Sequence, residues 1–504
     1  MFRSFRRLTL LFLLPVCISA PLLATNPPQV KIDVNWDKVI RVSKTVPSID
    51  LGAGPMVWRG SPIHDKVFAN LKQLGADDVR YTGGGYVYPY YGVAEMSPPT
   101  ATTTSWNFST VDSLTADAVE ALNGHPFVMN FSSIPAWMFK QTDPVQYPAD
   151  ASKICWDCSR GKELRDPTYR EVADYFARVV SWHVKGGFTD ELGKWHASGH
   201  HYKIDYWEIL NEPDNEHGFS PKVYTGIYDA VAEAIHKISP GTRFVAMSDA
   251  YPAGQPDFFM YFLNPRNHKP GIPLDMISYH FYAVPGEDES PEIQQFSYFY
   301  QADRFLEIVG YIEAIRKAYS PKVGTMVNEV GSMLPGDADQ TRPDYVAKPI
   351  PPSYWNLSAA TYAYVYAGLA ARGIDAANAS GIDAGPGMWP SIAMTAWQTG
   401  QPNARFWALK LIHDNFHPGD KIVNAESSLG TVMTQGYVTR SGERKLLIVN
   451  KRDQPISLTL AGAQGGKLEV VDQATAFNPP ASSKIAGPSI KLGGLAVAVV
   501  TLPR

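Results

Sequence analysis

Two glutamates placed at the ends of apolar runs are the residues of this chain best suited to chemistry. The first closes Trp207-Glu208-Ile209-Leu210-Asn211-Glu212-Pro213, where a strand-like run stops abruptly in Asn-Glu-Pro. The second, Glu329, ends a shorter run, Val323-Gly324-Thr325-Met326-Val327-Asn328-Glu329-Val330-Gly331. A carboxyl group on the lip of a buried strand is held protonated by apolar walls or ionised by a neighbouring cation. One of each, roughly 5 Å apart, suits the splitting of a glycosidic bond with retention: the acid protonates the leaving oxygen and the carboxylate attacks the sugar carbon. On that reading Glu212 is the acid and then the base, with its proton affinity raised by apolar surroundings and a negative neighbour, and Glu329 is the nucleophile.

Two such groups need a frame that brings distant strand ends together. Short apolar runs at 48–54, 78–81, 126–130, 202–210, 243–247, 274–279, 321–328 and 391–396 alternate with amphipathic stretches such as 167–182, 221–238, 298–318 and 356–371. Asp166-Pro167 and Ser220-Pro221 each set a capping side chain before a proline in the first helical turn. Eight strands alternating with helices predict an α/β fold, a (β/α)8 TIM barrel over 48–418. That span exceeds the roughly 250 residues typical of such barrels, and most of the surplus follows strand C-termini, where active sites are built. Beyond it the texture changes to short alternating strands at 421–423, 430–439, 445–450, 457–461, 467–471 and 496–502, which predict an appended β-sandwich over 419–504. The segment 25–47, alternating from 30 to 43, is expected to pair with that sandwich.

The bulk properties agree with an exported enzyme of more than one domain. A chain of 504 residues, 45% hydrophobic and 19% charged, buries a large core. Arg3, Arg6 and Arg7 precede an apolar stretch broken by Pro15 and Pro21, so 1–24 is read as a cleaved signal peptide and the protein as secreted or periplasmic. A lipid anchor on Cys17 is the weaker reading, since Leu14-Pro15-Val16 lacks the small residue expected before it. Losing the leader takes three arginines and moves the formal charge from −4 to −7, leaving no basic domain for a nucleic-acid partner. No membrane span follows the leader, and the oligomeric state stays open. Cys155-Trp156-Asp157-Cys158 reads as a local disulfide, because a redox dithiol lacks its βαβ context and a zinc site lacks two further ligands.

At this point the chain resembles a glycoside hydrolase of clan A, and within it family 39, the β-xylosidase group. The likeness rests on Tyr206-Trp207-Glu208-Ile209-Leu210-Asn211-Glu212-Pro213-Asp214, on Asp275-Met276-Ile277-Ser278-Tyr279-His280-Phe281-Tyr282, and on Ile134-Pro135-Ala136-Trp137. The resemblance implies Glu212 as acid/base at the end of strand four and Glu329 as nucleophile at the end of strand seven. It also implies that Asn211 donates to the sugar 2-hydroxyl, that Arg80 stands beside the nucleophile, and that His280 and Tyr282 meet the nucleophile and the sugar. Trp397, closing strand eight, would floor the sugar ring, and Trp137 would contact substrate. The implied substrate is a plant or microbial polysaccharide or oligosaccharide, cleaved without metal or organic cofactor.

One stretch departs from that pattern. Thr82-Gly83-Gly84-Gly85-Tyr86-Val87-Tyr88-Pro89-Tyr90-Tyr91 is closer to the glycine-containing turn of family 79 glucuronidases. A β-glucuronidase is therefore the rival, with Arg266, Lys269 or His217 meeting the substrate carboxylate. A barrel that binds carbohydrate without turnover is a second rival, opposed by the presence of both glutamates.

Plainer readings stand beside these. Asn-Glu-Pro is also an ordinary strand-end turn. Glu208 or Glu216 could partner Glu212 in place of Glu329, although alternation turns Glu208 away if Glu212 lies just past the strand. His280 could be a core histidine, Trp397 packing, and Arg80 the partner of Asp77. The tyrosines from Tyr86 to Tyr91 are a sugar platform or rim packing. His200, His201 and His217 lack a metal-binding spacing, and Gly83 to Gly85 are no phosphate cradle without a following Gly-Lys-Ser/Thr.

Overall fold

Eight parallel strands close on themselves in chain order: Val46–Leu51, Val79–Thr82, Phe127–Phe131, Tyr206–Ile209, Arg243–Asp249, Met276–Ala283, Gly324–Ser332 and Ala376–Ala379. They are called barrel strands one to eight below. The computed structural model describes residues 27–503 except 84–86, 142, 157, 159–160, 338–348 and 385–388. The leader expected at 1–24 lies outside the described residues, as do Tyr86 and two of the three clustered glycines. Seven strands fall where the apolar runs predict them, displaced by a few residues. Strand eight does not: 391–396 holds the 3-10 turn Pro390–Ile392 and an extended loop, while the strand itself is Ala-Ala-Asn-Ala. Alanine has little β-propensity, so burial inside the barrel, not local preference, makes that segment a strand.

The interior is built in layers because every second residue of a strand points inward. Val128, Tyr206, Val245, Met276, Met326 and Ala376 form a separate apolar cluster that plugs one level of the barrel. Two residues further along their strands come Asn130, Glu208, Ser278, Asn328 and Asn378, all buried. Their polarity is matched internally. Glu208 accepts from Arg80 Nε (2.6 Å), Asn130 Nδ2 (2.7 Å), Ser278 Oγ (2.6 Å) and Asn328 Nδ2 (2.6 Å). Glu208 thus faces the barrel interior, not away from it. The alternation that would oppose it to Glu212 is broken after Ile209, where Leu210 (φ 66°) and Glu212 (φ 41°) take left-handed conformations.

The helices cover the outside. Pro221–Ile238 starts at Ser220, whose hydroxyl accepts from the Val223 amide, and Pro352–Arg372 and Pro291–Tyr319 run longer than their apolar spacing foretells. Arg170–Val184 begins after Tyr169 rather than at Pro167, and Asp166 accepts instead from Thr168 and Glu171 amides. Among the described residues no helix is long and apolar enough to cross a membrane. Cys155 and Cys158 are joined in a disulfide.

A nine-stranded sheet makes the second layer system. Its first strand, Gln29–Val42, pairs antiparallel with Lys421–Ser427 and parallel with Ile456–Leu460. Two of its strands, Ala481–Lys484 and Ser489–Leu492, have no counterpart in the sequence reading; Ala-Ser-Ser-Lys is exposed throughout and carries no alternation to read. Alternation elsewhere divides the sheet's two faces. Leu446, Ile448, Ala498 and Val500 join Val30, Ile32 and Leu458 in the sheet's own core, while Leu447, Val449, Val497 and Val499 belong to the barrel's core cluster. The sheet is therefore packed onto the barrel by one apolar face.

Candidate active site

The strand ends do not merely stop at the barrel mouth; local irregularities turn particular side chains into it. In strand four the left-handed Glu212 is followed by Pro213, and the Glu212 amide donates to the Ser248 carbonyl at 3.1 Å. Ser248 itself is left-handed (φ 45°), as is Met247 (φ 82°), so strand five bends where it meets strand four. In strand seven the pairing slips between Val327 and Glu329. Asn328 points into the barrel toward Glu208, and strict alternation would send Glu329 outward. The extra residue of the bulge re-aims it, so that both side chains serve the interior.

Arg80, fully buried, ties these pieces together. Its Nε binds Glu208. Its Nη1 donates to Glu329 Oε1 at 2.7 Å and to Asp50 Oδ1 at 3.3 Å, and its Nη2 to Asn211 Oδ1 at 2.5 Å and Ser248 Oγ at 3.0 Å. The alternative partner Asp77 is instead beside His125. Tyr282, from strand six, donates its hydroxyl to Glu329 Oε2 at 2.6 Å. His280, two residues earlier on the same face, stands between the glutamates, with Nδ1 2.8 Å from Glu212 Oε1 and Nε2 3.5 Å from Glu329 Oε1. Nε2 also lies 2.9 Å from Ser248 Oγ.

Charge is distributed unevenly over this set. Burial pushes the Glu329 carboxyl up, but His280 and Arg80, with the hydrogen bonds from Tyr282 and Arg80, outweigh it and hold it below the ordinary carboxylate range. Burial works against charge on His280, yet Glu329 and then Glu212 raise it above its usual value. Glu212 itself makes polar contacts: Asn215 Nδ2 donates to its Oε2 at 2.9 Å, and its Oε1 lies 2.8 Å from His280 Nδ1. A carboxylate oxygen of Glu212, one of Glu329 and a ring nitrogen of His280 lie within 4.8 Å of one another. Three such atoms could ligate a cation, but the Arg80 guanidinium 2.7 Å from Glu329 already supplies positive charge there and would repel one.

Glu212, Glu329, Asn211, Arg80, His280 and Tyr282 are thus brought to one place. Asn211 holds Arg80 and Ser248 with its carbonyl and gives one amide hydrogen to Glu216 at 2.8 Å, which leaves the second for a ligand. The two tryptophans lie elsewhere. Trp397 is not at a strand end but in the turn 396–400, which docks on the helix His64–Leu74 through Lys66 to the Thr399 carbonyl and Asn70 to the Gly400 carbonyl. With strand eight moved to Ala376–Ala379, the residue at its end is Ser380, whose Oγ is 2.5 Å from the Tyr282 hydroxyl. Trp137 gives its indole N–H to the Glu95 carbonyl and has Arg165 over one face at 4.5 Å, a position on the rim.

Sequence reasoning missed Asp50, Ser248, Ser380 and Asp383. Burial raises Asp50 to about 7 against the pull of Arg80, with Glu329 and Asp383 adding to the rise. Asp383 accepts from the Gly52 and Gly54 amides. An acid inside the apolar run Ser48-Ile49-Asp50-Leu51 and the Ser248-Asp249 end of strand five were the available signals, because charged residues rarely enter such runs without a partner. Two of the cations proposed for a uronic acid, Arg266 and Lys269, do not reach the mouth, while His217 stays on the loop after strand four. Arg266 and Lys269 lie between the helix Pro256–Phe262 and strand six, a connection at the opposite end of the barrel, and His217 Nδ1 is 2.8 Å from the Gly161 carbonyl.

No protein-family model and no curated protein matches the chain. Solved structures do. It is similar to a family 51 arabinofuranosidase from Xanthomonas axonopodis pv. citri at 13% identity and a TM-score of 0.64, covering 94% of this chain and 100% of that one. A bifunctional glucanase-xylanase from a metagenome library aligns at 16% identity and 0.59, over 95% and 100%. A family 30 endoxylanase from Clostridium papyrosolvens aligns at 15% and 0.56, over 94% and 100%. These are likenesses of fold: a closed eight-stranded parallel barrel with an appended β-sheet domain.

Proposed function

We propose that the protein is a retaining glycoside hydrolase acting by double displacement. The observation that carries the reading is the approach of a Glu212 and a Glu329 carboxylate oxygen to within 4.8 Å, astride His280. Retention needs carboxyl groups roughly 5 Å apart, whereas inversion needs roughly 6.5–9.5 Å to admit a water. Glu329, held ionised by Arg80, His280 and Tyr282, attacks the anomeric carbon while Glu212 protonates the leaving oxygen. Glu212 then takes a proton from water, which releases the sugar from Glu329. The proton shared with His280 gives Glu212 a source and a sink at hydrogen-bond distance. Neither step draws on a cofactor.

For the substrate we infer a neutral pentoside of a plant or microbial oligosaccharide, in the manner of the family 39 β-xylosidases that the strand-four and strand-six motifs resemble. Names among the similar structures include arabinofuranosidase and xylanase, beside a glucosidase and a glucanase-xylanase. Among the described residues the mouth is lined by Asp50, Asp383, Glu212 and Glu329 against Arg80 and His280, both already committed, which disfavours the uronide alternative. Export through the 1–24 leader is part of the proposal, checked by sequencing the mature N-terminus.

A panel of aryl β-xylosides, α-arabinofuranosides and β-glucuronides tests the reading. Glu329→Gln should lower turnover of the best substrate by about 10⁴-fold or more, the scale seen when one member of a catalytic set is removed. The first-formed sugar, followed by NMR, should keep the anomeric configuration of the substrate. Near-normal activity in that variant, or an inverted product, would sink the assignment.

A further inference from the structure

Asp50 lies in register with Arg80 on the neighbouring strand and shares one of its nitrogens with Glu329. Arg80 Nη1 donates to Glu329 Oε1 at 2.7 Å and more loosely to Asp50 Oδ1, at 3.3 Å. Thr82 Oγ1 donates to the same Asp50 oxygen at 3.2 Å. With both donors on Oδ1, Oδ2 is left able to carry a hydrogen. The Asp50 side chain is 10% exposed, so a proton can pass between it and water in the mouth.

Charge decides whether Asp50 holds that hydrogen. Among the described residues two cations meet here, Arg80 and His280, the second drawn up by Glu329 and Glu212 against burial. Glu208, 2.6 Å from Arg80 Nε, and the ionised Glu329 already balance them. A third buried negative charge at Asp50 would have no cation of its own, which is strongly unfavourable away from water. The other titratable groups facing Asp50 are the Asp383 carboxyl and the Tyr282 hydroxyl, and neither supplies positive charge. Burial accordingly lifts Asp50 to about 7 against the pull of Arg80, with Glu329 and Asp383 adding to the rise.

Double displacement upsets this balance. As a Glu329 oxygen bonds the anomeric carbon, the bond to the leaving oxygen breaks, that oxygen takes the proton of Glu212, and Glu329 becomes an uncharged ester. Arg80 Nη1 then faces an ester, and the other acceptor on that nitrogen is Asp50. We infer that Asp50 is a standby counter-charge to Arg80, which gives its proton to water when Glu329 is glycosylated and takes one back when the sugar is released. In the second step a water oxygen bonds the anomeric carbon, the ester bond breaks and a proton of that water goes to Glu212. Glu329 is again a carboxylate, and Asp50 recovers its proton from solvent, so the cycle ends with the protons it began with. Asp50 acts through Arg80, as a positioning residue. The inference rests on the glycosidase reading, because only ester formation takes the charge from Glu329.

Trapping the ester tests it. The full chain carrying Glu212→Gln is mixed with 2,4-dinitrophenyl 2-deoxy-2-fluoro-β-xyloside or the corresponding α-arabinofuranoside. Dinitrophenolate leaves without an acid, and the Glu212→Gln change removes the proton of that carboxyl from the count. At about pH 6, in weak buffer with an indicator dye, each ester formed should release about one proton more than in the same chain with Asp50→Asn added, His280 contributing equally to both. Equal release overturns the inference. Infrared difference spectra of the Glu212→Gln chain settle it without the second variant, should that one fail to fold. One protonated-carboxyl band should vanish as the ester band appears, and an ester band alone overturns the inference. Failure of the glycosidase reading looks different: neither glycoside releases dinitrophenolate.

Discussion

Three neighbours, His280, Arg80 and Tyr282, hold the Glu329 carboxyl below the ordinary carboxylate range, and Tyr282 is the one whose removal is cleanest. Its hydroxyl gives a 2.6 Å hydrogen bond to Glu329 Oε2, and hydrogen bonds to charged groups contribute about 1.5–3 kcal/mol. Tyr282→Phe should therefore lower kcat/KM by about 10- to 100-fold. The sign of the pH effect follows. Tyr282 holds the Glu329 carboxyl down, so without it the proton leaves at higher pH and the acidic limb of the pH–rate profile moves up. A lowered plateau with an unmoved limb would show that the tyrosine does not act through Glu329. Glu208 gives a contrasting case, because it touches no substrate position. Glu208→Leu strips Arg80, Asn130, Ser278 and Asn328 of an acceptor and should cost about 3–5 kcal/mol of unfolding free energy, read by denaturant titration. At this scale the sequence discloses Glu212 and Glu329, which stand out at the ends of apolar strands, while Arg80, His280 and Tyr282 come only from the family resemblance. Asp50 and Ser248 leave only the faint mark of a polar residue in an apolar strand and Ser380 leaves none, because their importance lies in whom they meet once the barrel closes.

Strands six and seven work as a pair, and one glycine sets how closely they do so. Gly331 is the register partner of Tyr282, and a methyl group on its Cα would come 2.8 Å from Tyr282 Cε1 and 2.9 Å from Cδ1. Contacts that short force the ring to move, and the ring carries the hydroxyl that holds Glu329. Gly331→Ala should reproduce the kinetic defect of Tyr282→Phe while its melting temperature stays within about 4 °C of the parent. Unaltered kcat would mean that the ring shifts without losing its hydrogen bond. The same strands explain what was legible in the elements. The apolar residues recurring through 274–279 and 321–328 announce both strands, displaced by a few residues from Met276–Ala283 and Gly324–Ser332. The bulge that turns Glu329 inward cannot be read, since it depends on registration against strand six. Strand eight is the reverse case: Ala376 to Ala379 is too small in side chain to announce burial, and the more apolar 391–396 took its place. Trp397 fell out of the site with it.

The whole molecule buries acids that its unfolded chain would expose, and this sets its response to pH. Burial raises Asp50 to about 7, Asp249 to about 8 and Glu95 to about 8. Between the ordinary carboxylate value and these raised ones, the folded protein keeps protons that the unfolded chain has released. Stability from each therefore falls as pH rises through that window. His280, raised by Glu329 and Glu212 against burial, and His268, raised by Asp229 and the Phe262 carbonyl against burial, act in the same direction, losing their contribution as pH climbs through their folded values. Two groups oppose. Burial, with His200 nearby, lowers His183 to about 3, so its contribution is lost as pH drops below the unfolded value of 6.5. Asp190, held at about 2 by His196 and backbone amides despite burial, matters only below 3.8. From pH 8 to 6.5 the raised groups act and the opposing pair is silent. The melting temperature should accordingly be higher at pH 6.5 than at pH 8, by at least about 2 °C, in buffers of equal ionic strength. Asp249→Asn and Glu95→Gln, which stay neutral at both pH values, should together shrink that difference. A melting temperature that is flat or rises between pH 6.5 and 8 would mean that water reaches these carboxyl groups in the folded protein, Asp50 near Glu329 among them.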